Sequence, residues 1–242
     1  MKLVTWNCQG AFRKKYPALA ALRPDVAVVQ ECESLERIPW KQGNAPISAT
    51  WYGEKPTRGV GIFSWTGVSF QVSEMFDPTI HYAIPVEVKT PIPFHLIAVW
   101  TMKHADWRLA YSGQAYRALG VYREFILSAD TVILGDFNSN QRSTPRGRIG
   151  NHAVLAANLQ TLGLVSAYHF ATGEKTGMEK TPTFFRGRKA EQAGHIDYVF
   201  FPARWIRRLK RVEVGASAEW LEYSDHCPVV VEFVPRSPYS MV

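Results

Sequence analysis

Apolar residues recur along this chain in short runs, and their spacing predicts an alternation of β-strands and α-helices. The runs over 2–7, 26–31 and 132–135 contain β-branched residues and are typical of buried strands. The period-two alternation over 68–76 predicts a strand with one solvated face. Helices are predicted over 16–25, 112–127 and 151–163, and further strands over 47–53, 59–65, 80–90, 93–102, 195–201, 207–215 and 228–234.

No linker, repeat or low-complexity stretch divides the chain. Residues 166–182 are polar, contain glycine and lack periodicity, so we expect one long surface loop there, which is often a functional kind of segment. Residues 235–242 have the composition of a frayed tail. We therefore expect a single domain over 1–242.

Composition narrows the class of protein. Hydrophobic residues make up 46% of the 242 positions and charged residues 20%, which is ordinary for a globular protein. The three cysteines are odd in number and lack a CxxC pair, so neither a disulfide framework nor a zinc ribbon is expected. No apolar stretch is long enough for a membrane helix, and no signal peptide is seen, so we expect a cytoplasmic protein. The net charge of +7 suits an anionic partner.

Three apolar runs end in polar side chains that suit phosphoester hydrolysis. The first run ends in Asn7, the second in Glu31, and the run at 132–135 leads into Asp136 and Asn138. A hard divalent cation takes oxygen ligands, so Glu31 is a candidate metal ligand and Asn7 could add an amide oxygen. Asp136 and Asn138, spaced i and i+2 on an extended segment, would point the same way, the first toward water and the second toward phosphate. Each residue alone is equally well explained as a polar turn residue.

Two later motifs supply groups for proton transfer. Asp197 lies inside the apolar strand 195–201, where an ionised carboxylate is costly unless it is paired. Asp225 and His226 lie on the turn that enters the strand at 228–234. Histidine suits proton transfer near neutral pH and a partner carboxylate fixes its tautomer, so Asp197 is the candidate partner of His226.

Six short motifs then occur in order along the chain: TWN at 5–7, QE at 30–31, GVGIFS at 59–64, GDFNS at 135–139, HIDYVF at 195–200 and SDHCPV at 224–229. In order and spacing they resemble the endonuclease/exonuclease/phosphatase superfamily, whose members share a DNase I-like fold and include exonuclease III-like enzymes. The resemblance implies an α+β (α/β) architecture, a four-layer αββα sandwich of two mixed β-sheets flanked by helices. It also implies phosphoester hydrolysis that depends on Mg²⁺ or Mn²⁺.

The resemblance assigns roles by motif. The implied catalytic residues are Asp136, Asn138, Asp197 and His226, and the implied metal-side residues are Asn7, Glu31 and Asp225. Which of Asp136 and His226 acts as the base, and which stabilises the phosphate, stays open at this point.

The chain departs from the family pattern at two positions. Gln9 stands where some nuclease members carry an acidic residue, which weakens the metal site by one charge. Trp100 aligns with a position at which relatives often place a phosphate-contacting His or Tyr. Lys103 or His104, just beyond, is the predicted substitute phosphate donor.

The substrate is less constrained than the chemistry. We expect a phosphodiesterase or nuclease that acts on DNA or RNA by in-line attack of an activated water, and basicity favours nucleic acid. Thr183 and Arg186 are predicted to border the substrate cleft, and Trp107 or Phe185 could stack on a base. A basic run could track a nucleic-acid backbone or form one solvated strand face; it comprises Arg204, Arg207, Arg208, Lys210 and Arg211.

Three alternatives remain beside this reading. Lipid headgroups and nucleotides are also substrates in this superfamily, and a non-catalytic phosphate-binding module could keep the same fold. A serine hydrolase is disfavoured, because no G-x-S-x-G motif occurs. Specificity is expected to lie in the loops 35–58, 103–112, 140–150 and 166–194. The sequence does not predict the oligomeric state.

Overall fold

The computed structural model describes residues 1–142 and 150–234. The predicted tail at 235–242, and residues 143–149 of the predicted loop at 140–150, lie outside this range. The strands of the described residues are β1 (Lys2–Asn7), β2 (Val26–Cys32), β3 (Ser48–Lys55), β4 (Arg58–Ser64), β5 (Ser69–Val72), β6 (Ala83–Lys89), β7 (Phe94–Trp100), β8 (Thr131–Asp136), β9 (Leu164–Ser166), β10 (Phe184–Phe185), β11 (Ala193–Gly194), β12 (Asp197–Pro202), β13 (Leu209–Val214) and β14 (Val229–Phe233). The helices are α1 (Phe12–Ala21), α2 (Ser112–Val121), α3 (Arg123–Ser128), α4 (His152–Thr161), α5 (Ala167–Thr172) and α6 (Ser217–Trp220).

Two mixed sheets form the centre of the molecule. The first sheet has the strand order β13-β14-β1-β2-β4-β3, and the second sheet has the order β5-β6-β7-β8-β12-β9. β1 and β2 pair in parallel in the first sheet, as do β7 and β8 in the second, while β14 and β12 run antiparallel to their neighbours β1 and β8. A short ribbon of β10 and β11 stands apart from both sheets.

The inner faces of the two sheets pack against each other. Val28 and Val231 of the first sheet join Leu96, Leu134 and Val199 of the second sheet in one core, and each is at most 1% exposed. Central strands such as β8 are buried on both faces, because helices cover the outer sides. This double burial explains why β1, β2 and β8 appear in the sequence as apolar runs rather than as period-two patterns.

Helices complete the outer layers. Phe12 and Tyr16 of α1 pack on the outer face of the first sheet, where they join Trp6. On the second sheet, α2, α3 and α4 bury residues such as Leu119 and Leu155. The result is the four-layer αββα sandwich with two mixed sheets that the sequence predicts, and this prediction is confirmed.

Local structure differs from the sequence prediction at three places. Helix α1 begins at Phe12 rather than residue 16, because Phe12 and Tyr16, one turn apart, both face the core. The helix predicted over 112–127 divides at Tyr122, whose φ of −95° and ψ of 19° end α2. The predicted loop at 166–182 contains α5, whose Ala167 is fully buried in the core between the sheets. Tertiary burial overrides the weak local pattern there.

The remaining sequence expectations concern membranes and cysteines. Within residues 1–142 and 150–234, no helix has both the length and the apolar character needed to cross a bilayer. Cys8, Cys32 and Cys227 are all buried and unpaired. The structure therefore contains no disulfide that could stabilise the fold in place of its core.

Candidate active site

Strand direction brings the predicted site residues to one edge of both sheets. β1 and β8 end at this edge with Asn7 and Asp136. β12 is antiparallel to β8 and begins there, with Asp197 directly opposite Asp136. β14 is antiparallel to β1, so the turn before β14 brings His226 to the same edge. Residues far apart in the sequence thus converge because neighbouring strands of opposite direction end and begin together.

Asp136 forms the centre of this group. It is fully buried, and its Oδ2 accepts hydrogen bonds from Nδ2 of Asn7 at 2.9 Å and from Nδ2 of Asn138 at 2.8 Å. Nδ2 of Asn7 also lies 3.3 Å from Oε1 of Glu31. Asn7 therefore joins the predicted metal side of the site to the predicted water-activating carboxylate.

Asn138 reaches Asp136 by a different route from the one the sequence predicts. Strand β8 ends at Asp136, and Asn138 has φ = 46°, a left-handed conformation that Asn tolerates better than most residues. Its backbone N–H donates to Oδ1 of Asp136 at 2.8 Å. The two side chains meet through this tight Asx turn rather than through alternation along a strand. Nδ2 of Asn138 also donates to the carbonyl of Thr101 at 2.7 Å.

His226 and Asp197 form a second buried unit. Nδ1 of His226 lies 2.9 Å from Oδ2 of Asp197, which also accepts a hydrogen bond from the Thr183 hydroxyl at 2.7 Å. The same hydroxyl accepts the backbone N–H groups of Ile196 and Asp197 at 3.0 and 3.1 Å. Thr183, which the sequence predicts only to border the cleft, thus fixes the carboxylate that orients the imidazole.

The two units are coupled electrostatically. Burial raises the pKa of Asp136 to about 7, and the charge of Asp197 adds to this rise. Burial alone would lower the pKa of His226, but the carboxylates of Asp197 and Asp136 outweigh it and raise the pKa to about 9. The neighbouring carboxylates therefore favour the protonated imidazole, and burial makes Asp136 harder to ionise.

A β-bulge turns Glu31 toward the open side of the site. Gln30 pairs with Val60 and Cys32 with Gly59, so Glu31 is the extra residue, and its φ is 58°. Bulges beside functional sites commonly redirect one side chain in this way. The carboxylate of Glu31 forms an ion pair with Arg58, in which Oε2 of Glu31 lies 3.0 Å from Nη2 of Arg58.

The chemistry of the donors on this side fits a divalent cation. The carboxylate of Glu31 is a hard oxygen ligand of the kind that Mg²⁺ and Mn²⁺ prefer. Asn7 turns Nδ2 toward this carboxylate, and its amide oxygen accepts the backbone N–H of Gln9. One carboxylate oxygen each from Asp136 and Asp197 and one imidazole nitrogen of His226 also lie within 4.8 Å of one another. That second group is already internally hydrogen-bonded and has no exposed carboxylate. The set that contains Glu31 is therefore the better match to an ion that keeps several waters.

Gln9 and Asp225 lie together beside the metal-side residues. The backbone N–H of Gln9 donates to Oδ1 of Asn7 at 3.0 Å. Oε1 of Gln9 accepts hydrogen bonds from the backbone N–H of Asp225 and from Nη2 of Arg188, each at 3.2 Å. Where the family pattern has an acidic residue, this chain thus uses a neutral amide that ties two loops together. Asp225 is half-buried and close enough to His226 to contribute to the rise in its pKa.

An open cleft of about 440 Å³ extends from the site. We call it the Glu31 cleft; its walls include Glu31, Lys55, Arg58, Trp100, Lys103 and Asn138. Lys103 and His104 are the predicted substitutes for the phosphate-contacting residue that Trp100 replaces. Lys103 lies in this cleft. His104 lies in a separate recess with Thr79 and Arg117. The structure thus brings Lys103 to the site and leaves His104 away from it.

The segment after Thr183 contributes a ring that the sequence does not single out. Phe184 pairs with His226 in an isolated bridge, and the two rings lie 4.7 Å apart between centroids. Phe185, a predicted base-stacking residue, is instead packed in the core. Arg186 is exposed on the turn that follows, and Arg188 is the arginine of this turn that contacts Gln9. Trp107, the other predicted stacking residue, is 57% exposed.

The predicted basic run lies away from the site. Lys210 pairs with Glu232, which lies opposite Lys2 at the start of β1, whereas Asn7 is at the other end of that strand. Arg211 pairs with Glu213, and Arg204 pairs with Asp130. Of the two readings that the sequence leaves open, this placement favours the solvated, ion-paired face.

A comparison with models of protein families identifies the family of this chain. The model of the Endonuclease/Exonuclease/phosphatase family matches residues 4–226. The chain belongs to this family. The matched segment of this Endonuclease/Exonuclease/phosphatase family member contains Asn7, Glu31, Asp136, Asp197 and His226. A comparison with curated proteins found no match.

Solved structures share the fold across nearly the whole chain. One is the 3′ phosphatase NExo from Neisseria, a variant bound to a product DNA hairpin, with a TM-score of 0.67 and 22% identity over 97% of this chain and 100% of that chain. The 3′-5′ exonuclease NExo from Neisseria meningitidis has a TM-score of 0.65 and 22% identity, covering 96% and 99%. The APE2 catalytic domain from Xenopus laevis has a TM-score of 0.70 and 14% identity, covering 96% and 91%.

Proposed function

We propose that this protein is a divalent-metal-dependent phosphodiesterase that acts on nucleic acid by in-line attack of an activated water. The observation that supports this most is the convergence of two units at one edge. Asp136 is held by two asparagines, and His226 is held by Asp197, with 4.0 Å between Oδ2 of Asp136 and Nε2 of His226. Membership of a family of nucleases and phosphatases gives independent support.

The pKa values divide the proton chemistry between the two units. Asp136, whose pKa burial raises to about 7, accepts the proton of the attacking water. His226, whose pKa the neighbouring carboxylates raise to about 9, remains protonated and donates to a phosphate oxygen. This assigns the base to Asp136 and the phosphate-stabilising role to His226. Asn138 positions Asp136, because the two hydrogens of its Nδ2 go to Asp136 and to the carbonyl of Thr101. Thr183 and Asp197 keep the imidazole in place.

The metal-side residues would hold one divalent cation. Glu31 supplies the carboxylate ligand, Asn7 turns Nδ2 toward that carboxylate, and Asp225 adds negative charge nearby. A bound Mg²⁺ or Mn²⁺ neutralises phosphate charge and polarises the phosphoryl group. Gln9 contributes no charge, so the site depends on Glu31 more strongly than a site with a second acidic residue would.

Nucleic acid is the substrate class that the surroundings of the site favour. Lys55, Arg58 and Lys103 line the Glu31 cleft and outnumber its two carboxylates, Glu31 and Glu54, so the cleft has a net positive charge. The DNA-bound phosphatase structure with the same fold shows a neighbour that binds DNA. Lys103 donates to the phosphate in place of the His or Tyr that relatives often carry at the position of Trp100. Arg186 is a weaker candidate for a backbone contact because it is exposed on a turn outside the cleft walls.

Two assays test this proposal. The purified protein is expected to hydrolyse a short DNA strand, with activity lost on EDTA treatment and restored by Mg²⁺ or Mn²⁺. A parallel panel of RNA, nucleotides and lipid phosphates measures the preference among phosphoesters. Full activity after chelation, or faster turnover of a lipid phosphate than of any oligonucleotide, would contradict the proposal.

A further inference from the structure

The ion pair between Arg58 and Glu31 places a protein cation on the main predicted metal ligand. Nη2 of Arg58 lies 3.0 Å from Oε2 of Glu31. The side chain of Arg58 is 59% exposed and that of Glu31 only 19%. The guanidinium therefore approaches the carboxylate from the open side of the cleft. A divalent cation that binds Glu31 from this side competes with Arg58 for the same oxygen.

The ion pair between Arg58 and Glu31 can be broken at little cost in stability. An ion pair with one largely exposed partner contributes little to stability, because water solvates the guanidinium almost as well as the carboxylate does. Arg58 is the first residue of β4, and its neighbour Gly59 lies opposite Cys32 beside the bulge. Its backbone is thus fixed in the sheet while its side chain stays free to turn within the cleft.

A second partner for Arg58 is available in the same cleft. Asn138, which holds the proposed base Asp136, lines the Glu31 cleft with Arg58. A strand that occupies the Glu31 cleft would bring a phosphate within reach of Arg58, whose side chain is exposed there. The planar fork of a guanidinium binds two phosphate oxygens at once, which makes phosphate a better partner than one oxygen of a carboxylate already shared with a metal ion.

We propose that Arg58 exchanges partners, from Glu31 to a phosphate of the substrate strand, when a divalent cation binds Glu31. This inference rests on the proposed function, since it takes Glu31 as a metal ligand and nucleic acid as the substrate. Metal binding releases Arg58 to the strand, and strand binding withdraws Arg58 from Glu31. The two ligands therefore strengthen each other's binding, and by linkage the factor is the same in both directions.

The coupling is measured without turnover. Mn²⁺ binding is followed by the electron paramagnetic resonance signal of free Mn²⁺, with and without a short single-stranded DNA whose phosphorothioate linkages resist cleavage. For the unaltered protein we expect the DNA to increase Mn²⁺ affinity at least about fivefold. For Arg58→Gln we expect tighter Mn²⁺ binding in the absence of DNA, since the competing cation is gone. The coupling factor is expected to fall severalfold, to the part that comes from direct attraction between the metal ion and the phosphate.

Lys55→Gln is the matched control. Lys55 lines the same cleft and carries the same charge, but the contact with Glu31 is made by Arg58. Loss of Lys55 is expected to weaken DNA binding and to leave the Mn²⁺–DNA coupling in place. The inference is overturned if Arg58→Gln keeps the full coupling, or if Lys55→Gln abolishes it to the same extent.

Glu31→Gln separates this inference from the function on which it rests. If this variant binds Mn²⁺ as tightly as the unaltered protein, the metal assignment of the proposed function is wrong. If Glu31→Gln loses Mn²⁺ binding and Arg58→Gln retains the coupling, only the partner exchange is wrong.

Discussion

Nε2 of His226 lies 4.0 Å from Oδ2 of Asp136, although the two residues are 90 positions apart in the sequence. Nδ1 of the same imidazole is bound to Asp197 at 2.9 Å. One nitrogen of the ring is therefore held by Asp197, and the other is directed at the carboxylate that we assign as the base. This arrangement leads to predictions for activity and for its dependence on pH.

Replacement of either member of the pair should abolish most activity. We expect Asp136→Asn and His226→Gln each to lower kcat by about 10²- to 10⁴-fold, the range for loss of a positioned acid or base. Residues that act as one unit are not additive, so the double variant should lose little more than the worse single variant. Steady-state kinetics on a DNA substrate measure this. Independent, multiplicative losses would show that the two groups do not act together.

The pH–rate profile should be bell-shaped and should respond to Asp197. Activity is expected to rise through pH 7 as Asp136 loses its proton, and to fall near pH 9 as His226 loses its own. Burial lowers the pKa of His226 and the charge of Asp197 raises it. Asp197→Asn should therefore move the alkaline limb to lower pH. Thr183→Ser, which keeps the hydroxyl bonded to Asp197, is the control and should leave that limb unchanged.

Acid stability should depend on a histidine outside the site. Burial lowers the pKa of His152 to about 4, and its Nδ1 lies 3.1 Å from the hydroxyl of Ser139. Between pH 6.5 and 4 the unfolded chain binds a proton at this residue that the folded protein does not. Stability is thus fully present above pH 6.5 and is lost as the pH falls toward 4.

Urea unfolding at pH 7 and at pH 4.5 checks the contribution of His152. The free energy of unfolding of the unaltered protein should fall over this interval by roughly 2 kcal/mol more than that of His152→Gln. An equal fall in both proteins would mean that other groups account for the acid sensitivity.

Gly135 tests the close packing between β7 and β8, and Gly120 provides a control in open space. Gly135 has φ = 153°, and a Cβ there would lie 1.8 Å from the carbonyl oxygen of Val99 on the neighbouring strand. Gly120, near the end of α2, has open space around it. We expect Gly135→Ala to reduce the free energy of unfolding by at least about 3 kcal/mol. Gly120→Ala should increase it by about 0.5 to 1 kcal/mol. Thermal denaturation of the two variants measures the contrast.

Much of the site was predictable because it lies on strands. A strand that is buried on both faces can be recognised in the sequence as an apolar run, without knowledge of the strands that pair with it. A polar residue at the end of such a run marks the edge of a sheet. Asn7, Asp136 and Asp197 could be named for this reason, and His226 could be named from the turn that enters the strand at 228–234. Thr183 is harder to find, since its role is a single hydrogen bond to Asp197.

Lys103 and His104 show where prediction from position fails. The two are adjacent in the chain and each has a side-chain nitrogen that can donate to a phosphate, so the sequence offers no way to choose between them. The path of the backbone after Trp100 turns Lys103 into the Glu31 cleft and His104 into a different recess. Neighbouring residues on a loop take directions that only the surrounding packing sets.

The sequence by itself determined the strands, the helices and the chemical groups of the site, because burial periodicity and residue type are local properties of a chain. The layered fold followed from the resemblance of six motifs to a known family. Only the tertiary structure decided which of those groups touch. The bulge that turns Glu31 toward Arg58 depends on how β2 pairs with β4, and the proton affinities of Asp136 and His226 depend on how deeply two sheets bury them together. Contacts and electric fields of this kind arise from segments that meet in space, so no single stretch of sequence contains them.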